Sequence, residues 1–183
     1  LPRYTALPGG PNAPEPWLLG SSPQSAVWAA ELGLPYAFAD FINPDGAAVA
    51  AHYRTYFQPS AALPEPRVAV AVWAICADSD AEARELAASF RMMITLLHRG
   101  RLIQVPPVET AQKFLADESR RMVPTLGRDR RLIAGSPGTV RAGVEAAAAE
   151  YGADEVLLVN IVYDHAARRR PYELVAEAFG LPA

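Results

Sequence analysis

Eight consecutive apolar residues, Val68 to Ile75 (VAVAVWAI), constrain this chain more than any other feature of it. No polar residue interrupts them, so neither face of the segment is made for water. The run is short and rich in β-branched valine, which favours a strand covered on both faces over a buried helix. Such strands belong to parallel sheets, where helical crossovers cover the surfaces. A parallel neighbour needs a connection of a dozen or more residues, so the rest of the chain must alternate strands with helices.

The flanking sequence has that alternation. Trp17-Leu18-Leu19 is a brief apolar run, followed by a predicted helix over about Pro23 to Leu32 that Gly33 closes. Tyr36 to Ala39 is a second run, followed by a turn at Asn43-Pro44-Asp45-Gly46 and a helix to about Phe57. Pro59, Pro64 and Pro66 mark a linker. Beyond the long apolar run, Ala83, Leu86, Ala87, Phe90, Met93, Ile94 and Leu97 form one helical stripe, and Ser79 with Glu82 fits a capping box at its start. The stretch Gly100 to Ala134 is less regular and contains a helix around Val108 to Arg121. A helix over about Pro137 to Tyr151, a strand Val156 to Val162 and a closing helix Ala166 to Phe179 complete the order. The reading is one α/β domain over residues 1–183 with four parallel strands, either a small open sheet or half of an eight-stranded barrel. A complete barrel takes about 250 residues.

Composition narrows the function classes. A net charge of −3 gives no electrostatic case for nucleic acid or an anionic membrane surface. No apolar stretch reaches the length of a membrane span, and no signal peptide opens the chain. The single cysteine, Cys76, rules out an internal disulfide and suits a reducing cytoplasm. The first residue is Leu1 rather than methionine, as expected of a fragment or a processed product.

In parallel architectures ligands bind where strands end and helices begin. At the first such junction, Gly20 lets a ligand approach the backbone, while Ser21, Ser22 and Ser25 set hydroxyls beside free backbone N–H groups and the helix dipole. Ser22-Pro23 equally suits an ordinary helix cap, so capping and phosphate binding both stand. Gly135-Ser136-Pro137-Gly138 has similar chemistry but follows what reads as an insert, and is expected to be a structural cap. Asp40 and Phe41 end the second strand, and Phe41 is expected to pack. Cys76 is expected to be buried and inert. Asp164 and His165 follow the last strand, as an acid/base pair or with Asp164 as a helix cap. His52 and His98 have no partner at ligand spacing, so no metal is predicted. Arg99, Gly100 and Arg101 open the insert, as a lid over an anionic ligand or as solvated charge.

The stretches WLLGSSPQSAVWAAELGLPYAFADFINP, CADSDAEARELAASF and AGSPGTVRAGVEAAAAEYGADEVLLVNIVYDHAARRRPYELVAEAFG, in that order, resemble the C-terminal half of bacterial luciferase-like, flavin-dependent monooxygenases. The similarity runs from about Pro14 to Leu181. It implies strands five to eight of a (β/α)8 barrel with an insert after the seventh. It also implies that Ser21, Ser22 and Ser25 help hold the phosphate of reduced FMN, although bacterial luciferase has a glutamate where Ser21 stands.

Further implications are a separate NAD(P)H-dependent reductase that supplies reduced flavin, and oxidation by O2 of an organic substrate such as an aldehyde. The loop Gly100 to Pro107 would be a mobile cover. A deazaflavin (F420) oxidoreductase of the same barrel family and a non-catalytic or truncated flavin-binding protein are the alternatives. With the first half of such a barrel missing, the chain is expected to pair through its open edge as a homodimer or to be inactive alone.

Overall fold

The computed structural model describes residues 14–43, 45–121 and 132–181. In chain order the elements are β1 (Leu18–Gly20), α1 (Pro23–Leu32), β2 (Tyr36–Ala39), α2 (Gly46–Tyr56), β3 (Val68–Cys76), α3 (Asp80–His98), α4 (Val108–Arg121), β4 (Leu132–Gly135), α5 (Pro137–Tyr151), β5 (Glu155–Val159) and α6 (Arg170–Phe179). All pairings are parallel. β1 lies beside β2 and β2 beside β3. The far edge of β3 is shared, its first half by β5 (Ala69 opposite Glu155) and its last four residues by β4 (Cys76 opposite Gly135).

The two sides of β3 meet different layers. Val68, Val70, Val72, Ala74 and Cys76 join one core with Ala26 and Ala29 of α1, Tyr53 of α2, Val144 and Tyr151 of α5 and Leu174 of α6. Trp73 and Ile75 point the other way, into a second core with Ala87, Phe90 and Ile94 of α3. β1, β2 and β3 are neighbours in chain order, and α1, α2, α5 and α6 pack on one face of the sheet. α3 lies on the opposite face. Elsewhere that face carries exposed apolar side chains, Leu19 at 66% and Leu157 at 49% exposure.

Local chemistry sets the helix limits. Ser22 caps α1 in a reciprocal box with Ser25, Pro23 occupies the first turn, and Gly33 ends the helix in the left-handed region at φ 60°. Ser79 accepts from the Glu82 amide at the start of α3, one half of the expected box. Buried Asp40 accepts a 2.7 Å hydrogen bond from the Tyr151 hydroxyl, which ties α5 to the end of β2.

Three expectations are corrected. Leu132–Gly135 is a strand hydrogen-bonded to β3, so the sheet has five strands and Gly135-Ser136 stands at a strand end rather than after an insert. Four residues on a sheet edge are too few to show a period in the sequence. The last strand stops at Val159, three residues short of the expected end. The closing helix begins at Arg170, with Pro171 in its first turn where a missing N–H costs no bond, and residues 164–169 form separate turns.

The start of α5 is capped from outside its own sequence. Ser136 makes no side-chain cap. Instead the carboxylate of Asp80, from α3, accepts from the Ser136 amide at 2.6 Å. That bond, with the Thr139 and Ser136 hydroxyls, holds the Asp80 carboxyl below its ordinary value of 3.8. A lowered folded value means the contribution is fully present at neutral pH. It begins to fade as pH falls below the unfolded value and is gone below the folded one. Asp80→Asn is therefore expected to flatten the dependence of unfolding midpoint on pH below about pH 4, with little change in that dependence at pH 7. Urea titrations across that range check it. An unchanged acid slope would refute this clamp.

Candidate functional site

β1 ends at Gly20, and the chain turns through Ser21 and Ser22 directly into α1. This places the turn at the carboxyl end of the parallel sheet. The Asn43 side-chain amide, from the loop after β2, donates to the Ser21 carbonyl at 3.1 Å and fastens the two strand ends together. Ser22 is exposed and Ser21 is half-buried. Pro23 brings no N–H to the first turn of α1, and the Ser25 amide donates to Ser22 Oγ at 3.3 Å; the positive end of the helix dipole is the general chemistry of an anion site. A Cβ at Gly20 would overlap the Ser25 side chain, so only glycine allows this close passage.

Ser25 departs from the expected arrangement in its direction. It is 8% exposed, and its hydroxyl donates to the Ser22 carbonyl at 2.7 Å. Its oxygen lies 2.9 Å from the hydroxyl of Tyr36, the first residue of β2. Ser25 thus forms the floor of the turn while Ser21 and Ser22 form its rim. Tyr36 had no signal in the sequence, where an aromatic residue in a short apolar strand reads only as core. Burial first, partly offset by the Ser25 hydrogen bond, pushes its phenol above the ordinary value of 10.0.

The other candidates are placed separately. Asp164 accepts from the Ala167 amide at 2.7 Å, capping the turn after β5 rather than α6. His165 is exposed, with Nδ1 3.1 Å from the Arg168 guanidinium. Arg99 ion-pairs with Glu118 of α4, and the hydrogen bond raises the guanidinium's pKa. Gly100 takes a left-handed φ of 72° as α3 ends, and Arg101 is exposed beside it. Phe41 stacks on Trp73 at 5.4 Å. Cys76 is buried, and burial, with the Asp78 charge behind it, lifts the thiol to about 11, so it stays protonated at neutral pH. Among the described residues no helix is long and apolar enough to cross a membrane.

Fold and site together define a parallel α/β protein with a serine-bearing turn at the carboxyl end of its first strand. The chain belongs to the luciferase-like monooxygenase family, whose family model matches residues 2–155. A luciferase-like monooxygenase of Escherichia coli (strain K12) is 35% identical over 181 residues, covering 96% of this chain and 52% of that protein. The solved structure of apo-MsnO8 is 36% identical with a TM-score of 0.84, over 98% of this chain and 55% of that one. The oxygenating constituent of 3,6-diketocamphane monooxygenase from Pseudomonas putida, solved in complex with FMN, shares the fold at 22% identity and a TM-score of 0.60, over 93% and 50%. The chain spans about half the length of the curated relatives it matches.

Proposed function

We propose that this sequence is the phosphate-holding half of an FMN-dependent monooxygenase, and that β1, β2, β3 and β5 are strands five to eight of a (β/α)8 barrel. The observation that carries this is the Gly20–Ser22 turn, open at the carboxyl end of β1 and leading into the N-terminus of α1. The residues suit an FMN phosphate. Gly20 lets the Ser25 side chain pass close beneath the turn, Ser21 and Ser22 carry hydroxyls, and Ser25 braces the turn from beneath.

Reduced FMN, when bound, supplies the electrons that activate O2 for oxidation of an organic substrate such as an aldehyde. The protein's part is to hold the phosphate, orient the ring and keep water out. Arg99, Gly100 and Arg101 begin the connection from α3 to α4. In this reading that connection covers the site and the Arg99–Glu118 pair holds it. Asp164 and His165 receive no catalytic role, since each is engaged within its own surface turn. The exposed Leu19 and Leu157 belong to a sheet face that the other barrel half would cover.

The natural full-length protein is expected to bind FMN more tightly than riboflavin, and to consume O2 when a separate reductase supplies reduced FMN. The isolated 183-residue chain is expected to turn over nothing. Flavin titration and oxygen-electrode traces are the measurements. Equal affinity for the two flavins would remove the cradle, and selective binding of F420 would replace FMN with the deazaflavin.

A further inference from the structure

We propose, resting on the reading of this sheet as half of a barrel, that Arg67 straps the amino end of its inner face and tightens on Glu155 when the barrel closes. The inner face is the one opposite α1, α2, α5 and α6, where Leu19 and Leu157 stand. Side chains alternate along a strand. Trp17, two residues before Leu19, therefore shares that face with Arg67, two before Ala69, and Glu155, two before Leu157.

Towards β1 the strap is firm. Arg67 Nη2 donates to Glu15 Oε2 at 2.6 Å, and Trp17 Nε1 donates to the same oxygen at 3.1 Å. The guanidinium lies over the Trp17 indole, 4.5 Å from its centre. β2 separates β1 from β3, so this one side chain reaches across two strand spacings, about 10 Å.

Towards β5 it is slack. Glu155 Oε1 stands 3.7 Å from Arg67 Nε, an ion pair beyond the hydrogen-bond range of about 2.7–3.2 Å. That Nε is buried and has no hydrogen-bond partner. A buried donor without an acceptor is costly, which favours any movement that supplies one. Among the described residues β5 pairs with β3 alone, and β1 with β2 alone. Curling the sheet towards its inner face brings the side chains on that face together while strand spacing stays fixed. Pairing both free edges imposes such a curl, because closure joins the first strand to the last. The bond that Arg67 lacks is the one that closure forms.

Hydrogen exchange followed by NMR in the natural full-length protein tests this. The Leu18 amide donates to Pro35, so alternation turns the Leu19 amide to the free edge of β1. The Asp154 amide donates to Val68, which likewise turns the Leu157 amide to the free edge of β5. Protection at Leu19 and Leu157 therefore reports a closed barrel. The Arg67 Nε–H is then expected to exchange about tenfold more slowly than that of exposed Arg169. Glu155→Ala is expected to abolish that difference while Leu19 and Leu157 stay protected.

Protected edge amides beside a fast Arg67 Nε–H, or a slow one that survives Glu155→Ala, would overturn the strap and leave the barrel standing. Unprotected amides at Leu19 and Leu157 would overturn the barrel reading, and this inference with it. If Glu155→Ala does not fold, the Arg67 Nε–H rate in the unaltered protein decides.

Discussion

Gly20→Ala is expected to weaken FMN binding about a hundredfold, the combined loss of two charge-assisted hydrogen bonds at roughly tenfold each. The new methyl would overlap the Ser25 side chain at its Cβ as well as its Oγ, so no rotation of Ser25 relieves it. The first turn of α1 must move away from the end of β1. The amides and hydroxyls of the rim move with it, and the cap that Ser22 and Ser25 build for each other is broken. Overpacking of this kind adds a stability cost of about 1–3 kcal/mol. Flavin titration beside urea unfolding separates the two effects. Riboflavin affinity is expected to suffer much less than FMN affinity. A variant that binds FMN as the wild type does would show that the turn holds no phosphate.

Trp73→Ala carries the second large effect, a loss of about 3–5 kcal/mol in unfolding free energy. Trp73 is 6% exposed and is the largest side chain between β3 and α3. Phe90 meets its ring edge-on at 4.4 Å and Phe41 lies against it at 5.4 Å. Removing the indole leaves a cavity that two aromatic neighbours on different elements cannot close together. The loss is a large part of a typical domain's stability of about 5–15 kcal/mol. It also loosens the one helix that covers this face of the sheet among the described residues. Denaturant unfolding measures the loss, and amide exchange in α3 is expected to rise before exchange in α1. A loss below about 1 kcal/mol would mean that α3 is anchored by something other than Trp73.

Much of the architecture was legible because its signals are local. The unbroken run from Val68 is a strand buried along its whole length, as an all-apolar segment demands. α1 begins after its Ser-Pro cap and ends at its glycine, and the stripe Ala83 to Leu97 is the helix that packs on Trp73 and Ile75. β4 carries no period in its four edge residues, and the start of α6 follows turns at residues 164–169 that helical periodicity does not separate from it.

The site divides in the same way. Sequence alone placed Gly20, Ser21 and Ser22 between a strand and a helix, because caps and turns are written in adjacent residues. It could not show that Ser25 faces inward, that Tyr36 waits beneath it, or that Asp80 caps a helix 56 residues away. Nor could it show that Arg99 is held by Glu118. Those depend on which surfaces meet once the sheet has formed. Hydrogen bonds between distant segments follow from packing geometry, and only the assembled layers decide which donor finds which acceptor.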